Sequence, residues 1–262
     1  MASTMNADSP DGLSASVMQA VPGVPFARSG RPPSGRAGRS FQTRQRKLGP
    51  RQLKAAATLL PAISLTPTPQ VFDQMGVFGR VAPLAIDIGF GLGDSTAAFA
   101  RLHPEHNVIG IEVHRPGAVN LSMLLDMQGS TNVRVVEADA LDVLTWMIAP
   151  ASVDVMATYF PDPWPKASQQ WRRLINESFA DLVASRLAPG GRWLVATDSA
   201  DYAKRALRVA VGCEHLRVEG NTFAERDANR PLTKYERRGI REGRSIFDFT
   251  AVRTATALVT TY

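Results

Sequence analysis

From about residue 83 onward, short apolar runs alternate with amphipathic ones. "PLAIDIG" (83–89) predicts a buried strand, and "DSTAAFARLHP" (94–104) a helix. "NVIGIEV" (107–113) reads as a second strand, and "RPGAVNLSMLLDMQG" (115–129) as a helix stopped by Gly129. "NVRVVEAD" and "ALDVLTWMIAP" repeat the pair, the helix ending at a proline. "SVDVMATYF" (152–160) is a fourth strand. "WRRLINESFADLVASRLAPGG" (171–191) predicts one long amphipathic helix with a Gly-Gly exit. "RWLVATD" and "SADYAKRALRVAVGC" supply a fifth strand and helix, and "SIFDFTAVRTATALVTTY" one or two strands closing the sheet edge. Strands alternating with helices imply an α/β fold, a mainly parallel doubly wound sheet, here with an antiparallel edge strand. No internal repeat of fixed period is present.

Upstream, the pattern fades. Residues 1–38 are rich in Gly, Pro, Ser and Arg with few large apolar residues, the composition of a disordered tail. Residues 39–69 read as a basic arm, "RSFQTRQRKLGPRQLKAA", and a proline-broken connector; the globular domain is expected over 70–262. Charge sharpens this division. Residues 1–54 hold nine Lys/Arg against two Asp, a net +7, whereas residues 55–262 hold 21 against 22. The basic excess belongs to the N-terminal segment, which suits either nucleic acid or a solvated tail. No apolar run approaches the roughly 20 residues of a membrane span, and no secretory signal layout is present. The single cysteine, Cys213, excludes an internal disulfide and reads as a small buried apolar residue. The four histidines show no metal-ligand spacing and read as surface or capping residues. A soluble cytoplasmic protein is expected.

Candidate chemistry gathers at the strand ends. Gly89, Gly91 and Gly93 form a G-x-G-x-G turn after the first strand, letting the backbone bend tightly and approach a ligand. A ligand-free tight turn would use the same residues. The spacing is not G-x-G-x-x-G, and Asp87 at the strand end would repel a pyrophosphate; both speak against a nicotinamide dehydrogenase. Glu112 ends the second strand, where a ribose diol can be gripped. Asp139 ends the third strand, where it can accept from an adenine amine, and Asp162 lies in the corner after the fourth. Each acid singly suits a helix cap. Together they suggest a cationic, adenosine-bearing ligand without phosphate, which S-adenosylmethionine fits.

The corner "YFPDPWPK" (159–166) packs three prolines around Asp162 and Trp164. Neither helix nor central strand accommodates this, so a rigid acidic lip is expected. Trp164 can stack on a base or wall the pocket. Lys166 can reach a phosphate. Asp198 can cap the next helix or accept from a guanine edge. "TKYERRG" can contact base and phosphate, or be a solvated basic loop.

"DIGFGLGD", "GIEVHRPG", "EADA", "YFPDPWPK", "ATD" and "TKYERRG" together resemble the bacterial tRNA (guanine-N7-)-methyltransferase family over roughly residues 39–250. The corner and "TKYERRG" are the specific parts of that likeness. The resemblance implies a class I (Rossmann-like) methyltransferase acting on guanosine 46 of the tRNA variable loop. It implies S-adenosyl-L-methionine as cofactor, bound by Asp87, Glu112, Asp139 and Asp162 around the glycine turn. It implies Lys166, Asp198, Thr233, Lys234, Tyr235 and Glu236 facing the guanine, and no metal. tRNA is the expected partner of a monomer or homodimer. Attack by N7 needs no proton removed, so Asp162 would act electrostatically as the catalytic carboxylate. Two positions depart from the family: Asp87 stands where glutamate is commoner, and the basic run after the corner is reduced to Arg172 and Arg173.

Overall fold

The computed structural model describes residue 41 and residues 47–228 and 230–255. The expected tail, residues 39–40 and 42–46 of the basic arm, and residues 256–262 lie outside the described residues. Eight strands form one sheet in the order β1-β4-β3-β2-β5-β6-β8-β7. These are β1 (Ser64–Leu65), β2 (Leu84–Ile88), β3 (Asn107–Ile111), β4 (Val133–Val136), β5 (Val153–Tyr159), β6 (Leu187–Thr197), β7 (Leu216–Val218) and β8 (Phe247–Arg253). Every pairing is parallel except those of β8 with β6 and β7. The expected reversal is present, with the reversed strand one place in from the edge and the short β7 outside it.

Strand alternation sorts the core into two layers. Ile86, Ile88, Ile109 and Ile111 face one way, onto α6 (Ala140–Trp146), α7 (Glu177–Arg186) and α8 (Ala200–Gly212). Trp193 lies fully buried in this layer, edge-on to Phe179 and Phe249, with its indole N–H donating to Thr158. Ala85, Val108, Val133 and Val135 face the other way, onto α1 (Pro50–Thr58), α2 (Leu60–Ile63), α4 (Asp94–Leu102) and α5 (Arg115–Gln128). The short α3 (Gln74–Phe78) is capped by Asp73, whose carboxylate accepts from the amides of Met75 and Gly76.

Two expectations are corrected. Packing begins upstream of residue 70: Ala55 and Leu60 are buried in the core, and β1 adds a strand beside β4. The connector is proline-broken because it makes two short helices and an edge strand, with Pro50 and Pro61 in first-turn positions where a missing N–H costs nothing. The long helix expected over 171–191 is also two things. Residues Ala167–Arg172 form a 3-10 turn, and α7 starts only at Glu177, capped by the Asn176 side chain on the Phe179 amide. Arg173, 3% exposed, interrupts the run: its stem is buried and its guanidinium reaches the exposed Asp201 at 2.6 Å. At the other end "LAPGG" continues directly into β6 rather than leaving a helix.

After the edge strand β1 the chain crosses to the centre of the sheet at β2, builds outward through β3 to β4 beside β1, then returns to β5 on the other side of β2. The switch point therefore lies between the carboxyl ends of β2 and β5, where open α/β sheets bind ligands.

Candidate active site at the sheet switch point

The turn after β2 is held open as a cradle. Gly89, Gly91 and Gly93 all take left-handed φ, at 67°, 61° and 84°, a region that costs a side-chain-bearing residue free energy. The turn also presses onto α5. A Cβ on Gly93 would lie 2.7 Å from that of Leu121, and a Cβ on Gly117 would lie 2.0 Å from the Gly91 carbonyl oxygen. Gly117 is thus as necessary to the turn as the turn's own glycines. In the sequence it closes "GIEVHRPG", where nothing marks its contact with the turn.

Asp87 sits beneath this turn, 6% exposed. Its Oδ2 accepts from Thr96 Oγ1 at 2.7 Å and Ser95 Oγ at 2.9 Å, both on the first turn of α4. Its Oδ1 is buried without a hydrogen-bond partner among the described residues. Burial pushes the carboxyl above its ordinary range, opposed by the Thr96 and Ser95 hydroxyls. An orphaned buried acceptor is costly, and a cationic donor arriving from the pocket would relieve it. The residues thus fit a positively charged ligand without phosphate.

Glu112 lies past the end of β3, with its carboxylate folded back on the backbone. Oε2 accepts from the Gly91 amide at 2.8 Å, and Oε1 from the amides of Val113 and His114. Burial raises its pKa, and these three donors oppose the rise. Glu112 therefore holds the glycine turn in shape from the neighbouring strand. Asp139 caps α6, accepting from the Leu141 amide at 3.0 Å.

The proline corner carries backbone strain at both ends. Phe160 and Trp164 adopt φ of 52° and 41°, rare for aromatic residues, and each such conformation costs on the order of 1–3 kcal/mol. Neighbours hold it there. Arg173 Nε donates to the Pro163 carbonyl at 2.8 Å, and the Arg172 guanidinium stacks 3.6 Å from the centroid of the Trp164 ring. Trp164 is 4% exposed, so of its two readings the structure realises packing. Asp162 and Lys166 are exposed at the lip. The only two cations of the diluted run after the corner, Arg172 and Arg173, are thus engaged in building the corner.

Opposite the corner stands α9 (Lys234–Arg241), a helix where a solvated loop was one expectation. Thr233 caps it, its hydroxyl accepting from the Glu236 amide at 3.1 Å. The T-x-x-E spacing of a capping box was the available signal. Tyr235 lies over the glycine turn, its ring 3.5 Å from where a Gly91 Cβ would be. A pocket joins these parts, lined by Asp87, Gly91, Tyr159, Phe160, Thr233 and Tyr235 among others. Lys234 is exposed at its rim. Two expected substrate residues are otherwise occupied. Glu236 is fully buried, with both oxygens accepting from arginines. Asp198 caps no helix; its Oδ2 accepts from Arg244 at 2.8–2.9 Å. His103 and His106, read as surface or capping residues without metal-ligand spacing, share one Glu105 oxygen. Cys213 is buried as expected, and burial raises its thiol pKa.

Switch-point pocket, glycine cradle and orphaned acid define a class I methyltransferase domain, and a methyltransferase family model matches residues 81–249. The chain is 42% identical over 210 residues to a tRNA (guanine-N(7)-)-methyltransferase of Nitrosospira multiformis, covering 80% of this chain and 92% of that relative. Proteins of the same name from Hydrogenovibrio crunogenus and Methylococcus capsulatus are each 44% identical, covering 80% of this chain and 88% and 91% of their own. Among solved structures, an O-methyltransferase from Thermotoga maritima aligns with a TM-score of 0.46 at 16% identity, covering 82% of this chain and 69% of that one. The chain belongs to the tRNA (guanine-N(7)-)-methyltransferase family.

Proposed function

We propose that this protein methylates N7 of a guanosine in tRNA, at position 46 of the variable loop, with S-adenosylmethionine as donor. The observation that carries the reading is the buried, unpartnered Asp87 Oδ1 at the base of a pocket shared by the glycine turn and α9. When bound, S-adenosylmethionine supplies an electrophilic methyl group on a sulfonium and leaves as the neutral thioether. Asp87 meets the cofactor's positive charge, the glycine turn lets backbone approach it, and Glu112 and Asp139 shape the adjoining strand ends.

Guanine N7 presents a lone pair and no proton, so the chain supplies no strong base. Positive charge passes to the purine as the methyl moves. Asp162, exposed on a corner held rigid by Arg172 and Arg173, stabilises that charge with little reorganisation. Lys166 and Lys234 present charge to phosphates, and Tyr235 covers the cofactor side of the pocket. Asp198 takes the guanine edge by exchanging its Arg244 partner. No helix of the described residues is long and apolar enough to cross a membrane, and we place the activity in the cytoplasm, where tRNA is found.

The test is transfer of labelled methyl from S-adenosylmethionine to bulk tRNA lacking 7-methylguanosine, then digestion and nucleoside identification. Label in 7-methylguanosine, mapped to position 46, is expected. Label in another nucleoside would retain the cofactor reading and overturn the substrate.

A further inference from the structure

A neutral cluster of four charged side chains, two of them buried, lies beside the site. Glu236 of α9, fully buried, accepts from Arg226 Nε at 2.6 Å and from Arg230 at 2.7 and 3.1 Å. Arg230, 6% exposed, also donates to both oxygens of Asp248 on β8, at 2.9 and 3.2 Å. Arg226 additionally donates to the Arg230 carbonyl and to that of Asp227. On its other side the Arg230 guanidinium lies 5.1 Å from the Tyr159 ring centroid and 5.6 Å from that of Phe160. One side chain therefore touches the first two residues of the proline corner, a sheet strand and α9.

The chemistry of the cluster argues for geometry over stability. Desolvating ion pairs offsets most of their attraction, and well-packed apolar residues often serve stability as well. A planar arginine fork, by contrast, fixes direction through paired hydrogen bonds. Here the fork's donors run to α9 and β8 while its face lies against Phe160, the strained residue that opens the corner. Thr233, Lys234 and Tyr235, which line the pocket opposite that corner, immediately precede Glu236.

We propose that Arg230 is a positioning residue for methyl transfer, holding the Thr233–Tyr235 segment in register with the Phe160–Lys166 corner, and that Asp248 orients it. The inference rests on the reading that the methyl passes between those two segments. Arg230→Lys keeps the charge but loses the fork; Asp248→Asn keeps the shape but loses one charge. The measurements are the single-turnover methylation rate at saturating tRNA and cofactor, the Kd for S-adenosylhomocysteine, and Tm. Arg230→Lys should slow the single turnover about 10- to 100-fold, the scale of a small misplacement of reacting groups. Its Kd for S-adenosylhomocysteine should stay within about 3-fold of wild type, since Asp87 and the glycine turn are untouched. Asp248→Asn should show a smaller loss of the same form, and serves if Arg230→Lys fails to fold. A single-turnover rate within about 2-fold of wild type in the folded variant would overturn the proposal, as would a rate loss matched by an equal loss of cofactor affinity or of folded protein. Wild-type protein that puts no label in 7-methylguanosine would instead fault the substrate reading.

Discussion

Replacing Asp87 by Asn should move two measurements in opposite directions. Asp87 is buried, two hydroxyls satisfy one oxygen, and the other has no partner. Burial raises its pKa, so the folded protein without ligand bears a charge penalty at neutral pH that fades as pH falls through the folded value. Asparagine removes the charge at nearly constant volume, and Tm without ligand should rise at pH 7. Cofactor binding should fall, because the cationic ligand loses its partner. A charge-assisted hydrogen bond contributes about 1.5–3 kcal/mol, so S-adenosylmethionine should bind roughly 10- to 100-fold more weakly. At a ligand concentration about 100 times the wild-type Kd, ligand stabilises the wild type by about 2.7 kcal/mol. The variant would gain only about 0.4–1.4 kcal/mol, so a shift of roughly 5–11 °C should shrink to roughly 1–6 °C. Wild-type affinity should also weaken with falling pH, beginning above the ordinary carboxylate range, and that pH dependence should be missing in the variant. Thermal shift with and without ligand across pH reads all of this. An Asp87→Asn protein that is less stable without ligand yet binds as tightly as wild type would refute the assignment.

Three further outcomes test other parts of the site. Asp162→Ala should lower turnover tens-fold or more; wild-type turnover would remove it from catalysis. Gly117→Ala drives a Cβ into the Gly91 carbonyl and should destabilise by about 1–3 kcal/mol while weakening cofactor binding, read by denaturation and calorimetry. Truncation of residues 1–46 spares α1 and should flatten the salt dependence of tRNA binding, by about 0.7–0.9 in log-log slope for each phosphate that the arm neutralises in the full chain. An unchanged slope would show that the arm neutralises no phosphate.

Much of the fold was legible because it is written locally. The β2–β6 runs and the helices between them follow from apolar periodicity, and three closely spaced glycines mark a turn that only left-handed backbone can make. Acids at successive strand ends point to the same edge as the switch point, and strand alternation puts Asp87 on the Ala85 face of β2. The sequence also carried the family, in the corner and "TKYERRG". Least legible were the partners that charged residues take. Arg173 looked like the polar face of a helix and is an interior anchor; Glu236 and Asp198 looked like open acceptors and are paired with Arg230 and Arg244. Periodicity states which face of an element is apolar, but not which distant cation a carboxylate will meet. Those partners are 6 and 46 residues away in sequence, and only sheet order and loop closure bring them within 3 Å. Tertiary structure alone therefore decided which charged partners meet, because the cost of burying a charge is settled by the partner it finds after folding.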